Sequence, residues 1–210
     1  MKTTMIEDFE DLASAAKDIP EQSEQPCNDF YRDSSVTTTT DFCDIDELET
    51  RASWAVENFI SRDDTREIPY HAADISLRAE YMQDFHANFS QFSGYSGNLS
   101  FSDTMAPNEL GAFNPETKEI VLNSDLLSAD NPKEVMTTIM HESRHAYQDF
   151  AVNHPDKVSV DAETIATWKY NMEHYISPCF DFEAYVNQPI EADADIFAEK
   201  MYEQGAAYAA

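Results

Sequence analysis

His141-Glu142-Ser143-Arg144-His145 is the segment of this 210-residue chain whose residue types and spacing point most directly to chemistry. Two histidines four apart on an α-helix fall on one face, about one turn from each other, close enough to hold one metal ion. Neutral imidazole is a preferred zinc ligand. A catalytic zinc takes three protein ligands and keeps one position for water, whose pKa falls to about 7 on the metal. Glu142 stands beside a ligand without pointing along the same line, which suits it to take that water's proton and hand it to a leaving amine. His141 and His145 are therefore candidate ligands of a Zn2+ cofactor, and Glu142 is the candidate general base.

The third ligand must come from elsewhere in the chain. Glu191-Ala192-Asp193-Ala194-Asp195 opens a later helical pattern, and Glu191 and Asp195 share a face. On that face Glu191 is the candidate third ligand. Asp195 is the candidate acceptor for the free ring N–H of a ligand histidine, which would fix its tautomer and raise its basicity. Asp193 is the fallback ligand. A tetrahedral oxyanion needs a further donor, and Tyr170, His174, Tyr175 and Tyr185 are the candidates. Arg144, inside the motif, is expected to face away from the metal and to pair with Glu134 or Asp149. His71, His86 and His154 lack neighbours at ligand spacing and read as surface or satisfied, partly buried histidines.

These residues need elements to hold them. Asn131-Pro132-Lys133-Glu134 carries a capping residue, a proline at the first helical position and a glutamate three after the cap, so a helix bearing the motif is expected from there to about Val152. Pro189 starts the helix of Glu191, which runs to about Gln204. Between them Ile165, Trp168, Met172 and Ile176 mark one face of a helix over roughly 161–176. Upstream, Leu48, Ala52, Ala55, Val56, Phe59 and Ile60 define a first helix ending near Arg62. Ala73, Leu77, Tyr81, Phe85 and Phe89 define a second, closed by Gly94 and Gly97. Gly97 to Ser102 alternates as a half-buried strand does. Gly111 to Asn123 reads as a hairpin turning at Asn114-Pro115-Glu116-Thr117. Asn123 is read as a turn former that could also touch substrate.

Composition narrows the field. With 41 Asp and Glu against 13 Lys and Arg, the formal charge of -28 repels phosphate backbones, so nucleic acid is not an expected partner. Three dispersed cysteines, Cys27, Cys43 and Cys179, suggest reduced thiols in a cytoplasmic setting. No stretch approaches the length of a membrane span or of a signal peptide's apolar core, so no membrane partner is expected; export without such a signal stays open. Residues 1–46 are acidic with scattered apolar positions and read as a mostly disordered arm that could engage a basic protein partner. Residues 47–210 form the expected domain.

HESRH resembles the HExxH helix of the gluzincin branch of zincin peptidases, and EADAD resembles their later Glu-x-x-x-Asp helix. The resemblance implies that His141, His145 and Glu191 bind the metal, that Glu142 is catalytic and that Asp195 supports a histidine. The segment GAFNPETKEIVLN is similar to the strand with which such peptidases align an extended substrate. More loosely, the order of elements resembles the ImmA/IrrE-type prokaryotic proteases. The likeness covers about residues 95–205. It departs in the long interval between His145 and Glu191, where an extra helix with Trp168 is expected to shape a specificity pocket. The implied fold is α+β, a mainly helical zincin-like metallopeptidase domain with a small antiparallel sheet packed on the motif helix. The implied function is zinc-dependent cleavage of a protein or peptide substrate. The alternative is a non-catalytic, zinc-containing regulatory or binding module acting through its acidic surface.

Overall fold

The computed structural model describes residues 45–93, 97–106 and 108–209. The acidic arm expected over 1–46, with Cys27 and Cys43, thus lies almost wholly outside the described residues, as does Gly94. The described chain is mainly helical with a small sheet: helix α1 (Ile45–Asp63), α2 (Ile75–Ser93), strands β1 (Leu99–Ser102), β2 (Gly111–Asn114) and β3 (Glu119–Asn123), then α3 (Lys133–Asn153), α4 (Ala162–Glu173), α5 (Phe182–Val186) and α6 (Pro189–Ala209). None of these helices is long and apolar enough to cross a membrane.

Local chemistry accounts for the helix starts. Asn131 Oδ1 accepts from Lys133 N at 2.9 Å, and Pro132 leads the chain into α3. The Asp161 side chain accepts from Thr164 N, and that of Asp181 from Ala184 N, so α4 and α5 each begin on a capping carboxylate. The apolar periodicity then decides which face is buried. In α3 these are Val135, Met136, Ile139, Met140, Ala146 and Tyr147, and in α6 Ile190, Ala194, Phe197, Ala198 and Met201.

The helix α6 lies between α1 and α3, and α3 in turn carries β2 and β3 on another side. The approach of α1 to α6 depends on Gly205. A Cβ there would stand 2.4 Å from Ser53 O and 2.5 Å from Val56 Cβ, so any side chain would push the helices apart. Arg78 on α2 is buried, and its guanidinium donates to the carbonyls of Tyr70, Ala73, Leu127 and Ala129 and to the Asp130 carboxylate. It ties the turn after β3 to α2, and its buried charge is answered by several acceptors. A cleft of about 510 Å³ between α1 and α2 includes Phe59, Arg62, Arg66, Leu77 and Tyr81, none of which belongs to the histidine site.

The sheet corrects one expectation. The hairpin forms, with Gly111 opposite Leu122 and Asn114 opposite Glu119, but β1 joins the other edge of β3 and runs parallel to it. The order is β1-β3-β2, so the sheet is mixed and not purely antiparallel. Alternation of apolar and polar residues marks a strand without naming its neighbour. The segment between β1 and β2 is long enough to skip one strand position, which β3 then fills.

Candidate metal centre

The one-turn spacing on α3 places His141 and His145 side by side, and the first turn of α6 brings Glu191 against both. His141 Nε2 lies 3.0 Å from His145 Nε2. Glu191 Oε2 lies 3.4 Å from the first and 3.5 Å from the second. A tetrahedral zinc with bonds of about 2.0–2.1 Å spaces its ligand atoms by roughly 3.3–3.4 Å, so the three edges suit one ion of that size. Among the described residues these three form the group able to share a metal ion.

Proton bookkeeping strengthens the fit. His141 Nδ1 lies 2.8 Å from Asp195 Oδ1, so it carries a proton and donates to that carboxylate. His145 Nδ1 lies 2.8 Å from Gln148 Oε1. The amide of Gln148 has a fixed sense, because its Nε2 donates to Ile190 O at 3.0 Å and to Asp193 Oδ2 at 2.7 Å. Gln148 Oε1 is therefore an acceptor, and His145 Nδ1 also carries its proton. In the neutral rings both Nε2 atoms then present lone pairs to each other and to a carboxylate oxygen. Glu191 Oε2 is itself buried with no hydrogen-bond partner among the described residues. Three acceptors facing one point in a buried setting call for a cation there.

The titration of these groups states the same demand. For His141, burial disfavours the imidazolium, but the hydrogen bond to Asp195 and the facing carboxylate of Glu191 outweigh it and raise the pKa to about 10. His145 is raised against the same burial effect, chiefly by Glu191. Burial favours the neutral acid in Glu191, yet the two imidazoles hold its carboxyl well below the usual range. Protons and a divalent metal thus compete for the same position, and metal binding at neutral pH would release protons.

Glu191 is steered from the far side. Tyr175 donates from its hydroxyl to Glu191 Oε1 at 3.0 Å, which leaves Oε2 facing the histidines. The Tyr185 ring meets that of Tyr175 edge-on at 6.1 Å, close enough to feel the Glu191 charge. Burial first, and then the Glu191 charge, push both phenols upward, so both stay protonated donors. Of the four donors suggested by the sequence, the structure brings Tyr175 and Tyr185 to the centre. Tyr170 and His174 stack on each other at 4.1 Å, with His174 Nδ1 against Tyr170 O, and take no part in the ligand cluster.

Glu142 is 6% exposed and lies beneath β2. A Cβ on Gly111 would approach its Cγ and Oε1 to 3.1 Å, so the glycine is what lets the strand pass so close. Its carboxylate accepts a backbone hydrogen bond from Phe113. Asn123 N donates to Leu110 O, which sets the alternation of the ladder; the backbone groups of Gly111 and Phe113 therefore point away from β3. Burial raises the Glu142 pKa, against the lowering pull of the two histidines.

Several expectations need correction. Arg144 does not turn outward to Glu134 or Asp149. It is buried and grips Asp193 through Nε at 2.8 Å and a terminal nitrogen at 3.0 Å, while Asp149 pairs with Lys118. Its guanidinium packs over Tyr147, Trp168 and Phe197 at 5.0–5.4 Å. Asp193, the fallback ligand, is held by Arg144 and Gln148, because two residues on a helix turn it well away from the face of Glu191. Trp168 is buried in the core, with its ring edge-on to Tyr147. Asn123 is wholly structural, accepting from Asp125 N and donating to Ala106 O and Glu109 O.

The residue that sequence reasoning missed is Gln148, three positions after His145 and fully buried. Its spacing to His145 was a usable signal, but only the position of α6 reveals its double donation. Replacing it by leucine would leave the His145 N–H unmatched and free that ring to rotate or change tautomer. We expect Gln148→Leu to weaken zinc affinity about 10–100-fold, measured by competition with a chromophoric chelator.

Comparison with protein-family models, with curated proteins and with solved structures gives no match to this chain.

Proposed function

We propose that the protein is a zinc-dependent endopeptidase that hydrolyses a protein substrate with Glu142 as general base. The observation that supports this best is the convergence of His141 Nε2, His145 Nε2 and the partnerless Glu191 Oε2 at 3.0–3.5 Å, one residue from a buried glutamate. Zinc bound by these three would supply a polarised water with a pKa of about 7. Glu142 takes a proton from the attacking water and delivers it to the amine nitrogen as the peptide C–N bond breaks. Burial raises its pKa, which suits a group that must both accept and return a proton. Asp195 and Gln148 hold the two imidazoles in the tautomer that leaves Nε2 free. Tyr175 spends its hydroxyl proton on Glu191, and Tyr185, whose ring meets that of Tyr175, is the candidate donor to an oxyanion formed at the scissile carbonyl. The outward backbone groups of Gly111 on the edge strand β2 offer an extended substrate a place to pair.

The test is direct incubation of the full-length protein with unfolded, lysine-rich proteins, followed by mass spectrometry of new α-amino ends. We expect discrete fragments that stop forming when a zinc chelator is added and return when zinc is restored. Intact substrates across such a panel, from protein shown to hold zinc, would exclude the peptidase reading.

A further inference from the structure

The stretch from Tyr175 to Tyr185 lies between the two metal-bearing helices in sequence and touches the centre through Tyr175. Tyr175 reaches Glu191, the ring of Tyr185 meets that of Tyr175 at 6.1 Å, and the ring of Phe182 continues the series at 6.2 Å from Tyr185. Yet Phe182 is 66% exposed and its neighbour Phe180 is 89% exposed. Single exposed apolar residues are ordinary on protein surfaces, but the rings of Tyr175, Tyr185 and Phe182 adjoin one another outward from Glu191, and Phe180 stands two residues before Phe182 in the chain.

The stretch is held in place. Gln188 is buried, and its side-chain amide pairs with both backbone groups of Ile176, accepting from the N–H at 2.8 Å and donating to the carbonyl at 3.0 Å. This clamp closes the loop at its base, and Asp181 caps α5 in the middle. The aromatic rings are thus presented from a fixed backbone.

Charge limits what can lie on them. No Lys or Arg occurs between Lys169 and Lys200. Of the carboxylates in that interval, Asp193 is answered by Arg144, Asp195 faces His141 and Glu199 pairs with Lys133. Glu173, Asp181 and Glu183 flank the exposed rings and are themselves exposed. A second copy of the chain, with its own charge of -28, would be repelled from this surface, whereas a basic segment would be drawn to it.

We propose that Phe180, Phe182 and the Tyr175–Tyr185 pair form a substrate shelf that takes a bulky apolar residue flanked by Lys or Arg, so that the enzyme acts on basic protein segments. The inference rests on the peptidase reading for its meaning, but binding tests it independently. The apolar side chain lies along the rings, the flanking cations meet Glu173, Asp181 and Glu183, and the peptide backbone is carried toward the centre.

The probe is a labelled twelve-residue peptide with one Phe between lysines, titrated by fluorescence anisotropy against full-length, zinc-loaded Glu142→Gln protein. Two control peptides replace the Phe by Gly or the lysines by Glu. We expect each control to bind at least about tenfold more weakly, and a Phe180→Ser, Phe182→Ser variant to lose the same factor for the Phe peptide alone. Both replaced side chains are largely exposed, so zinc content and thermal unfolding should not change. Equal binding of all three peptides, no binding of any, or no effect of the double variant would overturn the shelf. A dimer dispersed by the double variant would assign these rings to a second copy and overturn it too. Wild-type protein incubated with the same peptides separates the two readings: binding without cleavage rejects the peptidase and keeps the shelf, whereas cleavage indifferent to the rings rejects the shelf alone.

Discussion

Replacing Glu142 by glutamine is expected to lower kcat for peptide hydrolysis by about 10³–10⁴-fold while zinc stays at one equivalent per chain. The amide keeps the shape of the side chain and can still accept from the Phe113 backbone through its oxygen, so the packing under Gly111 survives. What it loses is basicity. Because Glu142 is buried and burial disfavours its charge, the neutral variant should unfold at the same temperature as the wild type or slightly higher. A module that merely carried structural zinc would have no rate to lose. Retention of cleavage by Glu142→Gln would remove the base from the mechanism, and loss of zinc would show that Glu142 supports the ligands instead.

The second large effect concerns the metal itself. A His141→Ala, His145→Ala protein should fall from one equivalent of zinc to background, since Glu191 alone cannot hold the ion. The wild type should also gain stability from zinc that the double variant does not. At a free concentration a thousand times the dissociation constant, binding to the folded state alone contributes about 4 kcal/mol, which for a domain of this size raises Tm by roughly 8–16 °C. The double variant should show no such shift. A zinc-induced rise of similar size in both proteins would place the ion elsewhere.

Much of this arrangement was legible in the sequence, and the reasons differ from element to element. The helices α3 and α6 carry capping or proline signals and a sustained apolar face, and local chemistry alone decides such features. The HESRH spacing needs only a helix to become a site. The pairing of β1 with β3 was not legible, because strand periodicity says nothing about partners. Nor was α5, five residues long and too short to show a period. Arg144 was misread because a charge on a helix looks solvated until another helix brings Asp193 and three aromatic rings to it. Gln148 and the Tyr175–Tyr185 pair escaped a clear assignment for the same reason: their roles are set by contacts across α3 and α6, not by their own neighbours in the chain.

The proposed chemistry requires a single ion held by nitrogen and oxygen ligands from these two helices. Zinc K-edge absorption on protein purified without added metal, with elemental analysis of the same sample, tests it most directly. One zinc per chain, with a first shell of nitrogen and oxygen atoms at about 2.0–2.1 Å that includes two imidazoles, is the predicted result. Sulfur scattering at about 2.3 Å, or zinc bound equally well by the His141→Ala, His145→Ala protein, would contradict the account.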